Sequence, residues 1–301
     1  MSVKTLAPKW VFQGSKFIVA GDNGERQLLK IENDTDPQSS REWDNVGTMV
    51  CFHRWHSLGD EHNFSDPEDF LREMVRDYIP REKLMREIKG NKTNLNLSYN
   101  RSSREWELSG PCYWLTVLGS TEPKIEVLAC ATKLEDLYDS IIDELSLDTM
   151  KKLLEQYGEL AMLPLYLYDH SGITMSTGAF SCPWDSGQVG WIYVSKAKVF
   201  EEGLGWIDPE LRQSGDPKIL NDQKNWEFPN EDNWRKIALH HLNAEVEIYD
   251  DYLVGHVYGF TLCELDEEGN EGVEFDSCWG FFGDEYERNG ILDEFEILEV
   301  L

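Results

Sequence analysis

The last 57 residues, Glu245 to Leu301, carry eighteen Asp and Glu against a single base, Arg288. The local charge is about −17 within a chain whose formal net charge is −29. Charge of one sign at this density repels itself in any compact state, attracts basic partners and repels nucleic acid. A solvated acidic tail would be poor in aromatics, yet Phe260, Leu262, Phe275, Trp279, Phe281, Phe282, Phe295 and Ile297 are interleaved with the acids. The segment therefore has apolar surface to bury and is expected to fold as a negatively charged surface.

The remaining numbers set bounds. With 301 residues, 41% hydrophobic content and eleven Trp, the chain can bury a sizeable core as one large domain or a few smaller ones. No run of about eighteen apolar residues marks a membrane span, and the N-terminus lacks the apolar core of a signal peptide. A cytoplasmic protein is expected. Six cysteines (Cys51, Cys112, Cys130, Cys182, Cys263, Cys278) are dispersed with no C-x-x-C pair, the usage of buried thiols in a reducing compartment. Cys263 and Cys278 flank an expected hairpin and could meet across it.

Periodicity predicts an α+β fold of mostly antiparallel sheets with inserted helices and an acidic, β-rich C-terminal part. Lys9 to Glu32 alternates around Gly21-Asp22-Asn23-Gly24, as short strands or a hairpin do. Ser65-Asp66-Pro67-Glu68 predicts a helix start with Ser65 as cap, the helix running to about Tyr78, and a second helix follows Pro80 to Ile88. Strand character returns at Leu95–Tyr99, Trp106–Leu108, Tyr113–Leu115 and Ile125–Cys130. Leu134 to Tyr157 is helical with a break near Ser146. Further strands are expected at Leu163–Tyr168 and Val189–Val194, a helix at Ser195, and a long amphipathic helix over Asn233–Leu253. A hairpin or meander then turns around Glu267-Glu268-Gly269-Asn270. The consecutive regions are 1–130, 131–202, a linker or insertion at 203–230, and 231–301.

Three constellations carry chemistry-bearing residues. His53, His56 and His62 lie close to Cys51, Asp60 and Glu61, a set of metal-ligand types. The surrounding sequence reads as a strand then a turn, however, where His53 and His56 are expected to face opposite ways. Asp169-His170-Ser171-Gly172, ending a strand, is followed by Trp184-Asp185-Ser186-Gly187-Gln188-Val189-Gly190. Asp169, His170 and Asp185 could hold a cation or activate water, whereas three adjacent residues cannot themselves form a triad. The competing structural reading is an ordered loop tied down by Asp and Ser, with Trp184 packed beneath it. His240-His241 sits on the long helix, where neighbours diverge by about 100°. No phosphate loop, dinucleotide fingerprint or basic patch is present, so no cofactor and no direct nucleic-acid contact are expected.

The stretches Met49-Val50-Cys51-Phe52-His53-Arg54 with Leu58-Gly59-Asp60, and Leu165 to Gly172 with Trp184 to Gly190, resemble a protein family carried by bacteriophages, prophages and conjugative elements. Trp55-His56-Ser57 stands where that family carries Arg, Tyr and Asn. The resemblance covers residues 49–62 and 163–196. It implies an accessory gene of a mobile element and brings no catalytic residues with it.

Acidity and this resemblance together lead to an expected role. The chain is read as an inhibitor of a host defence complex, of the anti-restriction, anti-CRISPR or anti-Gabija type, acting as a DNA mimic or an oligomeric clamp in the cytoplasm of an infected or lysogenic bacterium. Its partner would be a basic nucleic-acid-processing protein. The expected binding residues are Glu264, Asp266, Glu267, Glu268, Glu271, Glu274, Asp276, Asp284 and Glu285, with Trp279, Phe281 and Phe282 as anchors. The alternative is a metal-assisted hydrolase or nucleotide-modifying enzyme using Asp169, His170 and Asp185.

Overall fold

The structure is a computed structural model, and it describes residues 15–21, 23–90, 93–112, 124–170, 172–208, 211, 217–266, 268–286 and 288–301. The strand expectations at Trp10–Phe12 and Tyr113–Leu115, and residues Ser171 and Glu267, lie outside them. Along the chain come β1 (Ser15–Ala20), β2 (Arg26–Asn33) and β3 (Thr48–Cys51), then helices α1 (Pro67–Tyr78) and α2 (Arg81–Lys89). Strands β4 (Asn96–Asn100), β5 (Glu105–Cys112) and β6 (Lys124–Ala131) precede helices α3 (Tyr138–Asp143) and α4 (Leu147–Tyr157). Next are β7 (Leu160–Asp169), β8 (Ile173–Ser176), β9 (Ser186–Ser195) and helix α5 (Lys196–Glu201). Among its described residues, the expected linker or insertion at 203–230 holds two-residue strands β10 (Trp206–Ile207) and β11 (Trp226–Glu227), which pair, a one-turn helix α6 (Pro217–Leu220) and a 3-10 turn at Gln223–Asn225. Helix α7 (Trp234–Val254) and strands β12 (Val257–Leu265), β13 (Glu271–Phe282) and β14 (Ile297–Val300) complete the chain. The fold is α+β, with antiparallel pairing in every ladder whose register is known here.

Two compact units divide the chain, each from non-contiguous segments. The first takes residues 1–45, 164–189 and 243–301; the second takes 46–163 and 190–242.

In the first unit, one five-stranded sheet runs in the order β13-β12-β2-β1-β14. Period-2 alternation sorts its side chains. Phe17, Val19, Leu29, Ile31, Tyr258 and Leu262 share one face and bury Tyr286 and Ile291 against it. Ile18, Leu28 and Cys263 form a smaller cluster of their own with Leu265. Asp266 closes the β12–β13 hairpin, accepting from the N–H groups of Glu268 and Asn270, while Gly269 supplies the positive φ the turn needs.

In the second unit, helices α1 to α4 and the sheet β4-β5-β6 enclose a core that includes Phe70, Leu71, Leu84, Ile88, Ile142 and Leu154. Asp66, not Ser65, caps α1: its side chain accepts from the Asp69 N–H at 2.8 Å. Asp69 reaches back at 3.0 Å to the N–H of Ser65, the residue before the cap, in place of the reciprocal bond to the cap's own N–H that a capping box makes. Ser146 and Ser195 cap α4 and α5 as their positions predict. Tyr157 of α4 donates to the buried carboxylate of Glu87 on α2 at 2.5 Å.

Candidate functional site

The loop that carries Asp169, His170 and Asp185, the signature loop of the resemblance, belongs to the first unit. β7 and β8 pair from Tyr166↔Ser176 to Asp169↔Ile173, and the Asp169 N–H donates to the Asp185 carbonyl at 2.8 Å. Asp250 of α7 fixes the hairpin, because its Oδ1 accepts from Thr174 Oγ1 at 2.8 Å and from the Met175 N–H at 2.6 Å. Thr177 donates to Asn243 on the same helix. Neither helix residue carried a sequence signal for this role; an Asp-Asp pair on a helix reads as a solvated face.

Within the loop, Asp185 Oδ2 lies 3.9 Å from His170 Nδ1 and 3.5 Å from Cys182 Sγ. Imidazole and thiol are thus aimed at one carboxylate, which places the acid between the base and the sulfur. A nucleophile–base pair needs the reverse order, with the base in reach of the thiol proton. His170 is largely exposed, its ring beside Tyr168, which in turn meets Phe180. Trp184, expected to pack beneath the loop, is instead 92% exposed. No neighbouring ring accompanies it among the described contacts, so it presents its indole to solvent.

The histidine constellation lies in the second unit. The chain leaves β3 and returns so that Gly59, at φ +73°, bridges Val50, while Asp60 Oδ2 accepts from the Met49 N–H at 2.8 Å. Residues 53–56 form a turn and not a strand. His53 Nδ1 accepts from the N–H groups of Trp55 and His56, and the His53 and His56 rings stack 5.0 Å apart at 11°. The opposite-face expectation fails because His53 Nδ1 draws the turn tight through the Trp55 and His56 N–H groups, which brings the two rings onto one side. His62 is occupied elsewhere: its Nε2 is 2.9 Å from the Cys51 carbonyl and its ring lies beside Phe52 and Phe64. These residues line a recess of about 530 Å³. Among the described residues no three His, Cys, Asp or Glu come together as metal ligands. On α7, His240 stacks on Trp206 and burial holds its pKa below the ordinary value, while His241 meets the Gly205 carbonyl.

The acidic segment returns to the first unit and divides into two kinds of carboxylate. Glu271 is held by Lys30 at 2.8 Å and Lys16 at 3.6 Å, and the Lys30 hydrogen bond lowers its pKa. Asp266 is engaged in the hairpin turn, which lowers its pKa too, chiefly through Asn270. Glu285 pairs with Arg288, Glu299 with Arg26, and Glu245 forms a largely buried pair with Arg41 at 2.9 Å. Glu264, Glu268, Glu274, Asp276 and Asp284 have no basic side chain within ion-pair distance among the described residues.

The expected aromatic anchors also divide. Phe281 packs on Phe260 and Phe282 stands edge-on to Trp43, so both serve the fold. Trp279 is about half exposed and lies across Gly259, whose missing Cβ makes room for the indole. Val273 and Phe275, absent from the expected set, are exposed at 70% and 50%. From Glu271 to Gly280 every residue of β13 is exposed on either side of the sheet. Cys263 stands opposite Glu274 and Cys278 opposite Phe260, and both thiols are free, so the hairpin does not bring them together.

No protein-family model, curated protein or solved structure matches this chain. Among the described residues no helix is long and apolar enough to cross a membrane.

Proposed function

We propose that the chain is a mobile-element protein that inhibits a host defence complex by binding it directly, with β13 and its flanking turns as the contact surface. The observation that supports this reading is the company kept by the carboxylates that have no basic partner among the described residues. Glu264, Glu274 and Asp276 lie on a hairpin whose outer strand exposes Val273, Phe275 and Trp279 to solvent. Acids placed only for solubility have no need of exposed apolar neighbours, which carry an aggregation risk. Acids and aromatics side by side form the rim and centre of a protein contact. The complementary partner presents Lys and Arg, as the nucleic-acid groove of a nuclease or helicase does, and long-range attraction makes association fast and salt-sensitive. Such a partner places the protein in the cytoplasm of an infected or lysogenic bacterium.

The test is affinity capture from bacterial lysates carrying defined defence systems, with wild type beside a Glu264→Lys/Glu274→Lys/Asp276→Lys variant. The expected result is one basic nucleic-acid-processing complex, retained by wild type at low salt, released by high salt and lost from the variant. Equal recovery on both proteins would remove β13 from the contact and the inhibitor reading with it.

A further inference from the structure

We infer that β13 receives its partner as an added strand: an extended, lysine- or arginine-rich segment that hydrogen-bonds along the free edge of the five-stranded sheet. This rests on the reading of β13 as the contact surface and specifies its mode.

Among the described residues, the sheet order places β13 at one margin with β12 on its inner side only. It is twelve residues long, well beyond the usual length of an edge strand, and edges of that length are normally blunted. The main chain at the middle of this edge is met by the strand's own side chains. The Ser277 N–H donates to Asp276 Oδ1 at 2.9 Å and so is not engaged with β12. Two residues on, with the same strand parity, the Trp279 carbonyl has the Cys278 thiol at 3.9 Å. Both are weak local substitutes that an incoming backbone can displace, which is how strand addition draws affinity from main-chain groups.

The side chains define the incoming segment. Glu274 stands opposite Cys263, and Asp276 stands opposite Leu262, so carboxylates project on both faces of the sheet at the centre of the edge. Trp279, opposite Gly259, adds an apolar platform further along. A strand laid here meets negative charge on either side and one indole. Bases flanking the centre and an apolar residue near Trp279 satisfy all three. A second copy of this chain does not: β13 carries no Lys or Arg, so self-pairing would set acid against acid between molecules of net charge −29.

The experiment measures fluorescence anisotropy with a labelled peptide of alternating Lys and Val, about ten residues long to match a strand. Ser277→Pro removes the outward N–H while leaving the β12 ladder intact, a substitution that edge strands accommodate. Binding is expected to fall about tenfold in Ser277→Pro, with circular dichroism and thermal midpoint unchanged. A peptide of the same charge, N-methylated at alternate residues, is expected to lose as much against wild type; this arm decides the matter should Ser277→Pro fail to fold. If both retain full binding while Glu274→Lys/Asp276→Lys abolishes it, charge alone holds the partner and strand addition is overturned, with the acidic contact intact. If the charge reversals have no effect, the contact surface itself is wrong. Failure of wild type to bind the peptide also overturns the proposal. So does a wild-type dimer in light scattering that Ser277→Pro dissociates, because the occupant is then a second copy.

Discussion

Asp69 shows what one side chain does when its neighbours are main-chain donors. It accepts from the N–H and hydroxyl of Ser65, and the backbone hydrogen bond is the main cause of its lowered pKa. A carboxyl whose folded pKa is depressed stabilises the fold above its unfolded value, and that contribution fades as pH falls through the depressed one. Asp69→Asn keeps the shape and removes the charge. The urea midpoint of the variant is expected to lie below wild type from neutral pH down to about pH 5 and to converge with it at about pH 2, beyond carboxylate titration. A gap that stays constant with pH would assign the effect to shape. The helix start was readable from Ser65-Asp66-Pro67, because proline favours the first helical position directly after a capping residue. Which of the two caps was not readable, since both side chains suit the role and only the backbone angles decide. Residue identity was also silent about Asp250: its importance comes from two hydrogen bonds to β8, seventy-six and seventy-five residues away in sequence.

At the scale of elements, periodicity served well where one face is buried and poorly where none is. The helices α1, α2, α4 and α7 and the hairpin turn at 266–270 lie close to their expected positions, each marked by an apolar stripe or turn residues. The turn after β3 is legible, but the stacking of His53 on His56 within it is not, because a turn carries no period; Trp184 reads as inside because tryptophan usually is. The signature motif can be understood in these terms as well. A Cβ on Gly190 would lie 2.0 Å from the Val50 carbonyl across the β3–β9 pair, whereas Gly187 has nothing within 4 Å of where its own Cβ would be. Gly190→Ala is therefore expected to cost about 3 kcal/mol or more, in the severe tail of single substitutions, and Gly187→Ala no more than about 0.5 kcal/mol. Chemical denaturation of the two variants separates them. Equal costs would mean that the motif's glycines serve something other than strand approach.

The whole molecule carries a net charge of −29, with only part of its acid content paired internally. Self-repulsion of that size acts against compactness, and salt screens it over a distance of about 10 Å at 0.1 M. Raising sodium chloride from about 0.02 M to about 0.3 M is expected to raise the thermal midpoint by several degrees while weakening capture of a basic partner. The same ions thus strengthen the fold and loosen the contact. A midpoint that stays level or drops with salt would show that the carboxylates are compensated within the chain. The acidic surface was legible because clustering of charge is visible in one dimension. The pairing of Glu271 with Lys16 and Lys30, or of Glu245 with Arg41, was not, because each joins residues more than two hundred positions apart.

That separation has a consequence for how the protein is made. Strands β1 and β2 leave the ribosome early and can pair with each other as a hairpin. Their remaining edges stay empty until β12 and β14 have been synthesised, because β2 takes β12 and β1 takes β14. A two-stranded ribbon is barely stable in water, and sheets closed by distant partners form slowly. The first unit therefore cannot complete its sheet until β12 and β14 have been made, with the β1–β2 hairpin exposed in the meantime. The second unit, whose segments end at residue 242, has all its residues earlier and is in a position to fold while the acidic strands are still being made.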